Sequence, residues 1–231
     1  MHAILQDKKV IFFDVGYTLD YPASGDWMFI NRFYAVAGEK LKACRQEDID
    51  RARAVGMTYL AEHHLIPDLA GEIANMVQYY SIISRELGLH LTEQEILDVA
   101  RDRSTNMDNY LLYPDAVRVL QALRKTHKLG IISDTWPSIE MQLATFGIRD
   151  YFACVTYSYD LGVFKPDPKM YLDALSKAGC HPEEAVFIDD GPHNLAGAAK
   201  LGITPILIAA NPASDVEVPY LKIHGLTELL G

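Results

Sequence analysis

The segment that decides the fold is Lys9-Val10-Ile11-Phe12-Phe13-Asp14-Val15-Gly16-Tyr17-Thr18-Leu19-Asp20. A run of apolar, β-favouring residues ends at a carboxylate, and a turn that contains a glycine follows. This pattern is typical of a buried parallel strand that places an acid at its carboxyl end. Open α/β sheets bind ligands at that edge, so Asp14 is a candidate site residue. An isolated Asp in this position more often caps the next turn, and other segments of the chain must decide.

The composition is that of an ordinary globular protein, with 49% hydrophobic and 23% charged residues among 231. A net charge of −10 and a pI near 5.2 argue against nucleic acid or an anionic membrane as a partner, since both require concentrated Lys and Arg. The N-terminal residues show no signal-peptide pattern, and no run of about 18 apolar residues is present, so we expect a cytoplasmic protein. Three widely spaced cysteines without a Cys-x-x-Cys pair indicate buried, reduced thiols.

The spacing of apolar residues becomes helical after Asp20 and stays so to about residue 106. It predicts four amphipathic helices, near 26–38, 47–62, 70–87 and 92–103. The last begins with Thr92-Glu93-Gln94-Glu95, which is the signature of a capping box. We expect residues 21–106 to form an inserted α-helical cap domain.

From residue 107 onward, predicted strands and helices alternate. The strands are expected at 129–134, 152–156, 185–190 and 205–209, and the helices at about 115–126, 137–146, 168–178 and 193–201. Helices are expected to stop at Gly88, Gly147, Gly179 and Gly202. The alternation predicts an α/β fold, a Rossmann-like parallel sheet with helices on both faces, built from residues 1–20 and 107–231.

Three of the predicted strands end in polar residues, and a lysine lies in a proline-fixed loop just before a helix. These residues are Asp14, Ser133, Asp134, Asp189, Asp190 and Lys165. At one edge of a sheet they would combine a carboxylate nucleophile, a hydroxyl donor, a cation and an acid pair able to hold a hard divalent metal. The structural alternative is a stabilising ion pair between Lys165 and Asp189, which is compatible with a catalytic role.

The order and spacing of these motifs resemble the haloacid dehalogenase superfamily, specifically members with a helical cap inserted after the first motif. The resemblance covers nearly the whole chain. Its motifs are Phe-Phe-Asp14-x-x-x-Thr18-Leu19-Asp20, Ile-Ile-Ser133-Asp134, Lys165-Pro-Asp-Pro, and Phe-Ile-Asp189-Asp190 leading to Gly197-Ala198 and Gly202.

The resemblance implies a role for each matching residue. Asp14 would be the nucleophile, and Ser133 and Lys165 would contact a phosphoryl oxygen. Asp134 is assigned to the phosphate-binding set with them, although a turn residue is its simpler interpretation. Asp189 would bind Mg²⁺ with Asp190 in its immediate surroundings, and Asp14 and the backbone carbonyl of Gly16 would complete the metal site.

One departure from the family pattern concerns the acid/base. The family's phosphatases carry a second Asp two residues after the nucleophile, and this chain has Gly16 there. A general acid is worth ~10²–10⁴ in rate, so alkyl phosphates should be poor substrates unless Tyr17, Asp20 or a cap residue supplies the proton. A second departure is Asn194, where many members have an Asp; the change removes a charge and lowers the expected metal affinity.

Three functions compete. The leading one is a magnesium-dependent phosphatase that acts on a small phosphorylated metabolite through an aspartyl-phosphate and favours activated phosphates. The second is metal-independent 2-haloacid dehalogenase chemistry, in which Asp14 displaces halide; Gly16 and the Asp189-Asp190 pair argue against it, because the dehalogenases carry a Tyr at the first position and lack the acid pair. The third is a non-catalytic protein that binds a phosphate ligand, supported only by Gly16.

Other side chains have simpler interpretations. Adjacent His63 and His64 point to different helix faces and make a poor ligand pair. His193 is read as an exposed helix-capping residue. The aromatic set is read as cap core and consists of Trp27, Phe29, Phe33, Tyr34, Tyr79 and Tyr80.

Overall fold

The computed structural model describes residues 2–231, which form two compact units. We call the first the sheet unit; it contains the residues up to Tyr21, Leu112–Thr135 and Leu143–Gly231. The second, the helical unit, contains Pro22–Leu111 and Trp136–Gln142. That the helical unit acts as a cap remains a prediction. No helix in the described part of the chain has the length and apolar character needed to cross a membrane.

The sheet unit is built on six parallel strands. They are β1 (Val10–Phe13), β4 (Lys128–Ser133), β5 (Cys154–Tyr157), β6 (Ala185–Asp189), β7 (Thr204–Ile208) and β8 (Leu221–Ile223). Their spatial order is β5-β4-β1-β6-β7-β8, and β2 (Asp20–Pro22) and β3 (Tyr110–Leu112) form a separate two-stranded sheet. The α/β parallel sheet predicted from the sequence is confirmed. The sequence reading missed β2, β3 and β8, because three-residue strands are too short to produce a periodic signal.

Strand β1 lies between β4 and β6 in the sheet, and all four of its residues are apolar and buried. Phe13 pairs with Ile131 of β4 on one side and with Ile188 of β6 on the other. The N–H of Asp14 continues this ladder by donating to the carbonyl of Ile188 at 2.9 Å. The chain order reverses direction between β1 and β6, which is where open α/β sheets form their ligand crevice. Asp14 and Asp189 therefore emerge at that point.

Of the helices after residue 111, four follow the predicted alternation, and the short helix Ser158–Leu161 was not predicted. The helices are α5 (Ala116–Leu123), α6 (Ile139–Thr145), α7 (Ser158–Leu161), α8 (Pro168–Ala178) and α9 (Pro192–Lys200). Gly147, Gly179 and Gly202 have φ values of 68°, 65° and 91°, as expected of residues that end helices in the left-handed region. The three cysteines are free but half-buried rather than fully buried.

Four helices make up most of the helical unit: α1 (Asn31–Leu41), α2 (Gln46–Glu62), α3 (Leu69–Glu86) and α4 (Glu93–Thr105). The capping box at Thr92 and Glu95 is confirmed, and Gly88 has the expected positive φ of 59°. The predicted start of the first helix at residue 26 is wrong. The Asp26 carboxylate accepts hydrogen bonds from the N–H groups of Met28 and Phe29, which fold this stretch into a turn.

Aromatic side chains fill the core of the helical unit. Phe29, Phe33, Tyr79 and Tyr80 are buried and pack against one another, as the sequence predicts. Tyr34 is the exception, because 43% of it is exposed. It lies next to Phe33 along α1 and therefore points to a different face of the helix.

A buried ionic network holds the segment Trp136–Gln142 within the helical unit. Glu72 is fully buried and accepts hydrogen bonds from the N–H of Ser138 at 2.7 Å and from its hydroxyl at 2.8 Å. Arg103 approaches the same carboxylate at 3.4 Å and donates to the hydroxyl of Tyr110 at 2.8 Å. Because Glu72 satisfies these donors together, its loss would leave a buried guanidinium and a buried N–H without their acceptor.

Replacing Glu72 with alanine is therefore expected to lower the free energy of unfolding by about 3–5 kcal/mol, the usual cost of removing one partner of a buried ion pair. Urea denaturation followed by circular dichroism measures this change. The matched control is Glu62→Ala, because Glu62 is exposed at the end of α2, and we expect it to alter stability by less than about 0.5 kcal/mol. Equal effects of the two substitutions would contradict the assigned role of Glu72.

Candidate active site

The predicted site residues come from the carboxyl ends of three adjacent strands and one loop. Asp14 follows β1, Ser133 is the last residue of β4, and Asp189 is the last residue of β6. Lys165 lies in the loop between α7 and α8. Neighbouring parallel strands bring their carboxyl ends to one edge, and so residues that are far apart in the chain meet there.

Lys165 is the charged centre of the site. Its Nζ lies 2.9 Å from Asp14 Oδ1, 2.7 Å from Asp189 Oδ2 and 3.3 Å from the carbonyl oxygen of Ile132. Burial leaves only 7% of the residue exposed and disfavours its charge, but the carboxylates of Asp14 and Asp189 outweigh this effect and raise the pKa of Lys165 well above its usual value. Lys165 is a permanent cation in contact with both acids.

Three carboxylates form a cluster around this lysine. Asp14, Asp189 and Asp190 each place an oxygen so that all three oxygens lie within 4.8 Å of one another. Burial, opposed by Lys165 and reinforced by the charge of Asp14, raises the pKa of Asp189. Burial and the charges of Asp14 and Asp189 raise the pKa of Asp190 to about 7. Three carboxyl groups and a single ammonium thus lie together, and oxygen donors at this spacing suit a hard divalent cation.

The two adjacent acids differ in how many hydrogen bonds they accept. Asp189 Oδ1 accepts from Gly191 N at 2.6 Å, and the Asn194 side-chain amide donates to both carboxylate oxygens of Asp189 at 3.1 and 3.2 Å. Lys165 also contacts this carboxylate, so its orientation is fixed by three residues. Asp190 instead accepts from the hydroxyl of Ser214 at 2.9 Å. Asn194 therefore orients Asp189, a contact that the sequence interpretation of this position did not include.

Asp134 supports the lysine loop. Its Oδ1 accepts a hydrogen bond from the backbone N–H of Lys165 at 2.9 Å. Burial raises the pKa of Asp134 to about 6, although the charge of Lys165 opposes the shift. The observed contact is thus with the protein backbone, while the phosphate contacts assigned to Asp134 and Ser133 remain predictions. Ser133 itself is buried at the strand end, one residue after the carbonyl that Lys165 contacts.

The turn after β1 is tight. Tyr17 N–H donates to the Asp20 carbonyl at 2.7 Å, and Tyr17 has a φ of 53°, in the left-handed region that a bulky residue rarely adopts. Gly16 is not among the residues with positive φ. The φ of Gly16 is therefore compatible with a residue that carries a side chain.

Two residues near the acids were missed by the sequence analysis. Tyr113 lies beside the turn that follows β1, because its N–H donates to the carbonyl of Leu19 at 2.9 Å. Burial, followed by the charges of Asp190 and Asp20, raises the pKa of Tyr113 to about 12. Ser214 contacts Asp190 directly. Tyr113 stands directly before Pro114, a pattern that indicates a turn but no site, and a single serine 24 residues from its partner gives no sequence signal.

The adjacent histidines His63 and His64 lie outside this set, as the sequence predicts. His64 is buried in the helical unit with its ring edge toward Trp136 at a centroid distance of 4.9 Å. Burial lowers the pKa of His64 to about 4, which keeps the imidazole neutral. His63 stacks on Tyr59 in the same unit.

The sheet and the cluster at its edge define an α/β enzyme in which a carboxylate, an ion-paired lysine and an acid pair share one crevice. The chain belongs to the haloacid dehalogenase-like hydrolase family, whose sequence profile matches residues 9–202. The resemblance inferred from the motifs is confirmed, and the protein is a hydrolase of this family.

Individual relatives of the chain include both phosphatases and dehalogenases. The chain is 27% identical to glyceraldehyde 3-phosphate phosphatase from Methanopyrus kandleri, over 96% of this chain and 95% of the relative. A phosphatase structure of the same family from Thermococcus onnurineus has a TM-score of 0.63, 24% identity, and coverage of 97% and 98% of the two chains. L-2-haloacid dehalogenase from Xanthobacter autotrophicus, with chloropropionic acid covalently bound, has a TM-score of 0.64, 20% identity and 96% coverage of both. The fold alone therefore does not separate the two chemistries.

Proposed function

We propose that this protein is a magnesium-dependent phosphatase that hydrolyses a small phosphorylated metabolite through an aspartyl-phosphate on Asp14. The observation that carries the proposal is the acid cluster of Asp14, Asp189 and Asp190 around Lys165. A cation site beside the nucleophile is useful for phosphoryl transfer, because both reactants are negatively charged. The full-length similarity to a phosphatase supports the same conclusion.

The reaction assigns one role to each residue. A carboxylate oxygen of Asp14 forms a bond to phosphorus while the bond from phosphorus to the leaving oxygen breaks. Lys165 and Ser133 hold the phosphoryl oxygens, and the charge of Lys165 offsets the repulsion between the phosphate and Asp14. Water then attacks the phosphorus of the aspartyl-phosphate, which releases inorganic phosphate and regenerates the Asp14 carboxylate.

The residues that would hold Mg²⁺ are Asp14, Asp189, Asp190 and the backbone carbonyl of Gly16. The three carboxyl groups of the cluster and its oxygen-only donors fit this ion. When bound, Mg²⁺ supplies positive charge that neutralises the phosphoryl oxygens. Asp190 accepts fewer hydrogen bonds than Asp189 and so has more lone pairs free for a metal.

Dehalogenase chemistry is the second candidate, since solved dehalogenases share the fold to the same degree as phosphatases. That reaction requires no metal. Without a metal, the buried acids Asp189 and Asp190 would lower the stability of the fold and have no role in the reaction. The acid cluster therefore favours the phosphatase. Halide release from 2-chloropropionate, measured without Mg²⁺, is the observation that would reverse this preference.

The rate of the proposed reaction should depend strongly on the leaving group, because Gly16 provides no proton. Aryl and acyl phosphates have leaving groups of low pKa, so we expect kcat/KM for them to exceed that for alkyl phosphates by about 10²–10⁴. Phosphate release is measured for one substrate of each class, with Mg²⁺ and with EDTA. Activity that persists in EDTA would contradict the metal site. Equal rates for all classes would mean that another residue, such as Tyr17, Asp20 or Tyr113, protonates the leaving oxygen.

A further inference from the structure

Ser214 lies in a short turn that fixes the position of its hydroxyl. The turn follows β7; the Ser214 N–H donates to the Asn211 carbonyl at 2.9 Å, and the Asn211 side chain accepts from Ala213 N at 3.1 Å. The carbonyl of Ser214 in turn accepts from Val216 N at 3.0 Å. Only 7% of Ser214 is exposed. Backbone hydrogen bonds on both sides of Ser214 therefore fix the turn, and with it the position from which the side chain projects.

The hydroxyl of Ser214 donates to Asp190 Oδ2 at 2.9 Å. Within residues 2–231 this is the one hydrogen bond that the Asp190 carboxylate receives from the protein. Asp189, one residue earlier, receives donors from Lys165, Gly191 and Asn194. The orientation of Asp190 thus depends on a single partner, whereas that of Asp189 does not.

We propose that Ser214 is a positioning residue that orients Asp190 for cation binding. The inference rests on the proposed function, because it assumes that the acid cluster binds a divalent cation. The hydrogen bond from Ser214 to Oδ2 fixes the Asp190 carboxylate in an orientation in which one of its oxygens lies within 4.8 Å of an oxygen of Asp14 and of Asp189. Partners that orient a ligand in this way typically affect metal affinity by 10–100-fold.

A purely structural role is the alternative, in which the hydrogen bond only fastens the turn at Asn211–Ser214 to the sheet unit. The two roles differ in what a substitution changes. A structural role lowers the melting temperature and leaves Mg²⁺ affinity intact in the folded protein. A positioning role weakens Mg²⁺ binding in protein that remains fully folded.

The test is isothermal titration calorimetry of the full-length protein with MgCl₂, with all variants measured at the same fixed, mildly alkaline pH. We expect Ser214→Ala to raise the Kd for Mg²⁺ by about 10-fold or more. Ser214→Thr, which retains the hydroxyl, should restore most of the affinity. Ser104→Ala is the matched control, since Ser104 is a buried serine of the helical unit, and should leave the Kd unchanged.

Asn211→Ala provides a second variant, which leaves the Ser214 and Asp190 side chains in place and keeps the Asn211 carbonyl but removes the side-chain hydrogen bond that shapes the turn. It should weaken Mg²⁺ binding less than Ser214→Ala does, and it keeps the test decisive if Ser214→Ala folds poorly. Folding of each variant is checked by thermal melting. A wild-type Kd in folded Ser214→Ala or an unchanged Kd in Asn211→Ala when Ser214→Ala does not fold would overturn the proposal. Absence of Mg²⁺ binding to the wild-type protein would instead overturn the metal site of the proposed function, and the role of Ser214 with it.

Discussion

Replacing Asp14 with asparagine is expected to abolish phosphate-ester hydrolysis, with a loss in kcat of roughly 10⁴-fold or more. The amide is nearly isosteric with the carboxylate but cannot form the covalent intermediate, and removal of a nucleophile usually removes most of the catalytic advantage. The fold should persist, because Lys165 keeps its ion pair with Asp189 at 2.7 Å when its contact with Asp14 is weakened. Initial rates on an aryl phosphate with Mg²⁺ measure the effect.

The matched control for this substitution is Asp150→Asn, the same chemical change at an exposed position of the sheet unit. It should retain wild-type kcat and KM. Both proteins are compared by circular dichroism and thermal melting, so that a loss of activity is not mistaken for unfolding. Undiminished turnover by folded Asp14→Asn would exclude Asp14 as the nucleophile.

Replacing Gly16 with aspartate is expected to raise kcat/KM for an alkyl phosphate by up to about 10²–10⁴, while the rate for an aryl phosphate changes little. The new carboxylate would occupy the position where the family's phosphatases have their general acid, and the backbone carbonyl proposed to bind Mg²⁺ is retained. Since Gly16 has no positive φ, the substitution should not introduce backbone strain. The selective gain on the alkyl substrate is the diagnostic feature, because a proton donor helps only a poor leaving group.

The control for this experiment is Gly38→Asp in α1, where an added Cβ would meet no atom within 4 Å. It introduces the same charge in the helical unit and should leave both substrates unaffected. Thermal stability is measured for each variant. If Gly16→Asp folds normally and gains nothing on the alkyl phosphate, the proton is supplied by another residue or the protein is not a phosphatase.

The central sheet and the order of its site residues were predictable from the sequence. Asp14, Ser133 and Asp189 each end an apolar run, and parallel strands necessarily present their carboxyl ends at one edge. Such strands carry a continuous apolar signal because both faces of the sheet are covered. Helix ends at Gly147, Gly179 and Gly202 and the capping box at Thr92 were also predictable, since these signals act within a few residues.

Local sequence rules failed where a polar side chain competes with the helix or where an element is very short. Helix α1 begins only at Asn31, because the Asp26 carboxylate accepts hydrogen bonds from the N–H groups of Met28 and Phe29 and folds this stretch into a turn. Strand β8 contains only Leu221–Ile223 and owes its existence to pairing with β7 rather than to its own pattern.

The sequence by itself determined which residue types stand at the strand ends, and therefore the family and the acids available to the site. Tertiary structure decided how those acids are held. Ser214 reaches Asp190 across 24 residues, Ser138 reaches Glu72 across 66, and Lys165 is shared by Asp14 and Asp189. A hydrogen bond between distant residues depends on where packing places two side chains, and a single serine or lysine carries no periodicity that could reveal its partner.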